Sequence, residues 1–200
     1  MAEQYGFYVD TSRCIKCWAC VVACKQWHEI EAGTVSRRNV TETDEGTFPD
    51  VKRKFESLSC MHCENPLCMA NCPQGAISKR EEDGVVVVDE ELCIGCKTCE
   101  TACPYGAPTF GEEEGYMLKC DMCKDEIARD RLPICVAGCP MRALDFGTRE
   151  EMIEKYGEGD VEVEPLPADT TDPNLILTPH RNAQKSGSGT GSVVNLEEEL

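Results

Sequence analysis

The sequence predicts an α+β fold in which short strands and helices are organised by cysteine-rich loops rather than by one large apolar core. Three observations lead there. The 200 residues include 16 cysteines, and all of them fall into four runs of related spacing. Between two of those runs, short stretches rich in β-branched residues flank an Asp83–Gly84 turn signal. The C-terminal quarter is acidic and rich in Pro, Gly and Ser, the composition of an extended tail. Aromatic residues make up only 6% of the chain and charged ones 28%. Apolar burial alone is therefore thin, and ligation has to supply much of the folding free energy.

The runs are Cys14, Cys17, Cys20, Cys24; Cys60, Cys63, Cys68, Cys72; Cys93, Cys96, Cys99, Cys103; and Cys120, Cys123, Cys135, Cys139. Haem attachment needs a histidine directly after C-x-x-C, and Trp18, Glu64, Lys97 and Lys124 stand there instead. A disulfide framework leaves the repeated spacing without a purpose. Zinc accounts for the two pairs of the fourth run but not for a third and fourth thiol two and three residues further on. An iron–sulfur reading accounts for all of them. Three thiolates at two-residue gaps wrap one cubane, and the fourth, expected to start a short helix pointing away, reaches a different cluster. The run C-x2-C-x2-C-x3-C-P is that of bacterial two-cluster ferredoxins. Pro73, Pro104 and Pro140 follow the last cysteine of runs two to four, whereas Lys25 follows Cys24. At four thiolates per cubane, 16 cysteines hold four [4Fe–4S] clusters.

Along the chain, residues 25–59 read as a long charged connector containing Arg37, Arg38, Lys52, Arg53 and Lys54. It is either a solvated loop or a contact surface for an acidic partner. "PQGAISKREEDGVVVVDEEL" between Cys72 and Cys93 reads as a hairpin joining two cluster loops. After Cys139 come a strand and a helix opened by Thr148 with Glu151 three residues on, a capping box. Residues 147–200 carry twelve acidic and four basic residues. Their composition argues against independent folding. The apolar anchors "LILTP" at 175–179 and "SVVNL" at 192–196 suit docking onto a partner.

The net charge of −17 argues against nucleic acid as a partner. The longest aliphatic stretch is Val85–Val88, so direct membrane insertion is not expected. The start "MAEQYGFYVD" has no signal-peptide pattern, and Arg37–Arg38 lies too deep to be a twin-arginine signal. No nucleophile, general base or open metal position is visible, and the C-x3-C-x2-C spacing of radical enzymes is absent. No catalytic residue is assigned.

"YGFYVDTSRCIKCWACVVAC", "CMHCENPLCMANCPQGAI", "CIGCKTCETACPYGAP" and "KCDMC…PICVAGCPMRAL" together resemble the four-cluster ferredoxin-like electron-transfer subunits of molybdopterin oxidoreductases. Within them the dimethyl sulfoxide reductase iron–sulfur subunit is the best likeness, over roughly residues 5–147. The resemblance implies two nested ferredoxin-like units, each binding two [4Fe–4S] clusters, with long loops and an extended C-terminal tail. Residues 1–30 plus 110–150 would form the first unit, 31–54 the connector, 55–109 the second unit and 151–200 the acidic tail. It implies that Cys14, Cys17, Cys20 and Cys139 hold cluster 1, and Cys24, Cys120, Cys123 and Cys135 cluster 2. Cys60, Cys63, Cys68 and Cys103 would hold cluster 3, and Cys72, Cys93, Cys96 and Cys99 cluster 4. Spacing alone equally allows runs three and four to pair.

In nitrate reductase relatives a tryptophan replaces the third cysteine of run three, so Cys99 implies four irons there. Respiratory formate dehydrogenase relatives add a C-terminal membrane helix, for which no segment is visible here. The implied role is non-catalytic: single electrons pass between a membrane-anchor quinol/quinone subunit and a molybdopterin-containing catalytic subunit. The same wire serving a hydrogenase or a nitrite-reduction system is the alternative. The chain would be peripheral to the membrane through its partners, exported folded if a partner carries a twin-arginine signal, and cytoplasmic if alone.

A few other residues carry expectations. His62 is expected to pack or face solvent, with a hydrogen bond to a cluster sulfur as the sharper reading. Trp27 and His28 are expected at the surface or an interface rather than as redox relays, and Trp18 as a shield against water. Lys25 and Lys97 are expected to be solvated, offsetting cluster charge at most.

Overall fold

The computed structural model describes residues 3–33 and 35–196. Residues 1–2 of the expected first unit, Thr34 of the connector and 197–200 of the tail lie outside the described residues.

Strand β1 (Tyr5–Asp10) leads into run one, and helix α1 (Ala19–Trp27) carries its last two cysteines. The 31–54 stretch is not a plain connector. Its middle forms strand β2 (Arg38–Glu45), which pairs antiparallel with β3 (Lys52–Ser59). The register explains why: Asp44 faces Arg53 and Glu45 faces Lys52, so opposite charges meet across the ladder. Arg53 grips Asp44 through two bonds of 2.6 Å, Arg37 reaches Asp121 at 3.1 Å, and Arg38 and Lys54 are buried. These cations are used inside the chain, which leaves little of a basic face for an acidic partner.

Runs two and three flank α2 (Leu67–Ala70), the hairpin β4 (Ile77–Lys79) and β5 (Val86–Val88), and α3 (Thr98–Ala102). The hairpin forms as the turn signal predicts: Gly84 sits at φ 68° and Asp83 accepts the Val85 N–H through Oδ1 at 3.0 Å. A small ribbon, β6 (Thr109–Phe110) with β7 (Met117–Leu118), leads to run four, whose cysteines lie beside α4 (Lys124–Ile127) and α5 (Ile134–Ala137). The fourth cysteine of a run does not start a helix. The helix spans from the third cysteine towards the fourth, and the proline after Cys72, Cys103 or Cys139 ends it within five residues. Run one has Lys25 in place of proline, and α1 runs on for nine residues.

Strand β8 (Leu144–Thr148) pairs antiparallel with β1, so the segment before run one meets the segment after run four. Helix α6 (Arg149–Tyr156) opens with the expected capping box, Thr148 and Glu151 exchanging bonds of 3.2 and 2.9 Å. The tail is not an appendage. Its β9 (Leu175–Thr178) adds to β1 in parallel, completing a sheet in the order β8-β1-β9. "LILT" is buried at Leu175, Ile176 and Leu177, so it docks on its own chain and not on a partner. Glycine at position 6 permits this approach, since a Cβ there would meet the Asn174 carbonyl at 2.6 Å. The short β10 (Ser192–Val193) extends the β2–β3 sheet. Composition misjudged the tail because its few apolar residues are grouped where β1 offers a free edge.

Candidate metal centres

All sixteen thiols are free, and the fold draws them into groups. Cys14, Cys17, Cys20 and Cys139 line one cavity, with Trp18 and Ser57. Cys60, Cys63, Cys68 and Cys103 line another, with His62, Tyr105 and Thr171. Cys24, Cys120, Cys123 and Cys135 lie close enough that their charges act on one another. Cys99 is likewise affected by Cys93 and Cys96, and Cys72 and Cys93 pack with buried Cys99 in one apolar cluster.

The backbone is bent to make these groups. Lys16, Trp18, His62, Lys97, Met122 and Cys123 all have positive φ without being glycine, a conformation that costs free energy and turns N–H groups inward. Several donors end on sulfur: Met122 N on Cys120 and Ala143 N on Cys139, each at 3.3 Å, and Met117 N on Cys93 at 3.5 Å. Thr171 Oγ1 donates to Cys63 Sγ at 3.2 Å. Such bonds favour thiolate over thiol and tune a bound cluster.

Burial raises the thiol pKa values, those of Cys14, Cys63, Cys99 and Cys123 to about 11 and those of Cys24 and Cys68 to about 12. These thiols stay protonated at neutral pH unless a cation displaces the proton, as iron does on ligation. His62 gives a further test of fit. Its Nδ1 accepts the Val86 N–H at 2.9 Å, which puts the proton on Nε2. That Nε2 is buried without a partner among the described residues, and the ring lines the Cys60–Cys103 cavity. Burial, with Lys119 and Lys79 nearby, holds the imidazole well below its ordinary pKa and so neutral. An unpartnered N–H beside four thiols suits the sulfur-donor reading of His62 and a sulfide-rich group in the cavity.

Other expected residues fall on both sides. Trp18 lines the first cavity and packs on the core, as a shield would. Trp27 is half exposed, as expected. His28 is half-buried: its Nε2 lies 3.8 Å from Cys123 Sγ and 3.7 Å from Asp121, because α1 continues past Cys24 and delivers it there. Lys25 is buried, with Nζ on the Gly33 carbonyl at 2.6 Å. Lys97 stands over Phe110, 4.4 Å from the ring centroid. Reading by motif missed Ser57, Thr171, Arg38 and Lys119. The last two are buried cations, and Lys119 Nζ donates to the Val86 and Cys120 carbonyls. Ser57, Thr171 and Arg38 approach the thiols through tertiary contacts, whereas Lys119 directly precedes Cys120 and is turned by tertiary packing towards Val86 and Cys68.

Comparison with known proteins settles the family. Models of the 4Fe–4S dicluster domain match residues 13–76 and 51–149. The iron–sulfur subunit of anaerobic dimethyl sulfoxide reductase from Escherichia coli K12 is 45% identical over 207 residues, covering 99% of this chain and 100% of that protein. The protein belongs to the family of dimethyl sulfoxide reductase iron–sulfur subunits. A sulfite dehydrogenase subunit of Allochromatium vinosum is 40% identical over 72% of this chain and 68% of its own length. Protein NrfC of Escherichia coli K12 is 39% identical over 74% and 67%. Like other members of its family, the protein is a 4Fe–4S electron-transfer subunit, and its sixteen cysteines fit four [4Fe–4S] clusters. Among the described residues no helix is long and apolar enough to cross a membrane.

Proposed function

We propose that the chain passes single electrons through four [4Fe–4S] clusters between a membrane quinol/quinone subunit and a molybdopterin catalytic subunit. A bound [4Fe–4S] cluster supplies one-electron redox chemistry. The chain's part is to hold the clusters, exclude water from them and set their potentials. In this reading cluster 1 is held by Cys14, Cys17, Cys20 and Cys139, and cluster 2 by Cys24, Cys120, Cys123 and Cys135. Cluster 3 is held by Cys60, Cys63, Cys68 and Cys103, and cluster 4 by Cys72, Cys93, Cys96 and Cys99. The convergence of those thiols, run one with run four and run two with run three, supports this assignment and the two nested units. The β1–β8 ladder, contact of α1 with α5 and contact of α2 with α3 support the same nesting.

The observation that carries the reading is end-to-end similarity to the dimethyl sulfoxide reductase iron–sulfur subunit, tail included. Service to another respiratory complex is favoured less, because the sulfite dehydrogenase subunit and NrfC match only about three quarters of this chain. Attachment to a membrane would come through partners. Affinity purification from membranes under anaerobic conditions, with mass spectrometry of what accompanies the chain, tests this. A molybdopterin-binding protein and an integral membrane protein are expected together. Recovery with a hydrogenase in their place overturns the reading.

A further inference from the structure

Arg38 opens β2 with only 2% of its surface exposed. Its described hydrogen bonds all end on neutral oxygens: Nη1 donates to Ser57 O at 3.0 Å and to Ser57 Oγ at 3.2 Å, and Nη2 to Ser59 Oγ at 2.9 Å. Its Nε–H has no partner among the described residues, and the guanidinium lies over Phe7, 4.7 Å from the ring centroid. Neighbouring Arg37 holds a carboxylate, whereas Arg38 has none among the described ion pairs. A guanidinium buried without a counter-charge is costly, so an anion has to stand beside it. Burial works against its charge, and the groups near enough to favour it once they give up their protons to a metal are the sulfurs of Cys135, Cys20, Cys120 and Cys24, in that order. One belongs to the first group of cysteines and three to the second.

Ser57 extends the contact. It lines the cavity of Cys14, Cys17, Cys20 and Cys139, and its Oγ is 3.2 Å from Cys20 Sγ. Because Arg38 donates to that oxygen, the hydroxyl proton is left to point at sulfur. We propose that Arg38 is a positioning residue that raises the reduction potentials of clusters 1 and 2, acting on cluster 1 partly through the Ser57 hydroxyl. This rests on the ligand sets proposed above. Reduction adds one negative charge to a cluster, and a fixed buried cation stabilises that state most. Polarising Ser57 strengthens its bond to Cys20 sulfur, which works in the same direction.

The test is an anaerobic redox titration followed by electron paramagnetic resonance on the full-length protein, with iron measured on each sample. Arg38→Met, Arg38→Lys and Ser57→Ala are compared with the parent. Arg38→Met should lower the midpoints of two clusters and leave two unmoved. Each shift should reach about tenfold in the ratio of reduced to oxidised cluster, about 59 mV for one electron. Arg38→Lys should keep most of the potential, and Ser57→Ala should lower one midpoint only. Four unmoved midpoints in a fully loaded Arg38→Met protein overturn the proposal and leave the four-cluster reading intact. If Arg38→Met loses clusters while Ser57→Ala moves no midpoint, Arg38 is only a strut between β2 and β3, and the proposal falls. A parent protein with far fewer than about sixteen irons instead overturns the ligand sets.

Discussion

In the proposed ligand set of cluster 4, Cys99 is where a single thiolate decides cluster type. It is buried beside Cys93, Cys96 and Cys72, so removing it leaves three sulfurs in place. Cys99→Ser should keep the fold and convert one four-iron cluster to a three-iron form. A new three-iron signal in the resonance spectrum of the oxidised variant is expected, and an unchanged spectrum counts against the assignment. Glu56 shows another kind of single-residue control. Burial pushes its carboxyl pKa up to about 7, with Lys54 pulling the other way, and its Oε2 has no partner among the described residues. The folded protein therefore favours the protonated acid. That contribution is complete below the ordinary value near 4.5 and is lost as pH rises through about 7. Glu56→Gln keeps a neutral group there. It should raise the melting temperature at pH 8, by a change equivalent to roughly 3 kcal/mol at most, and do little at pH 4.5. Equal effects at both pH values would show that the folded-state carboxyl does not titrate between them and would overturn the raised value.

At the scale of elements, the tail strand makes the most exposed claim. Strand β9 is bonded to β1 along Phe7–Asp10, and the segment before it is tied to run two through Asn174 N on the Met61 carbonyl at 3.0 Å. Its amides at 175–178 should therefore exchange as slowly as those of β1 in the protein without partners. Exchange as fast as in the 186–191 loop would return the segment to the status of a partner-docking tail. This element was the one the composition hid, since parallel pairing over a separation of some 170 residues leaves no local trace. By contrast, the β4–β5 hairpin, the capping box of α6 and the four cysteine runs were legible, because each is written in a few neighbouring residues. The β2–β3 ladder fell between. Its matched charges were visible, but they read as a solvated connector until the register paired them. The site was legible as thiols and illegible beyond them. Arg38, Ser57 and Thr171 reach the cysteines only after β2, β3 and the tail have packed.

For the molecule as a whole, stability and cluster content are one quantity. Nine of the thirty-one buried apolar residues described are cysteines, and the main apolar cluster joins Cys20, Cys60, Cys120, Cys135 and Cys139 to Phe7, Val9, Val40 and Leu144. The sheets are short, with two of the four having only two strands, and such ribbons are marginal in water by themselves. Taking out the clusters leaves buried thiols around voids and positive-φ loops with nothing to hold their strain, while Arg38 loses the counter-charge proposed for it. Protein purified without oxygen should carry about sixteen irons per chain and no stoichiometric zinc. Stripping the iron with a chelator and a mild oxidant should abolish the cooperative melt and the amide protection of β1 together. An apoprotein that kept β1 protected would show that the β8-β1-β9 sheet folds on its apolar contacts alone, and the ligands would then decorate the fold instead of organising it.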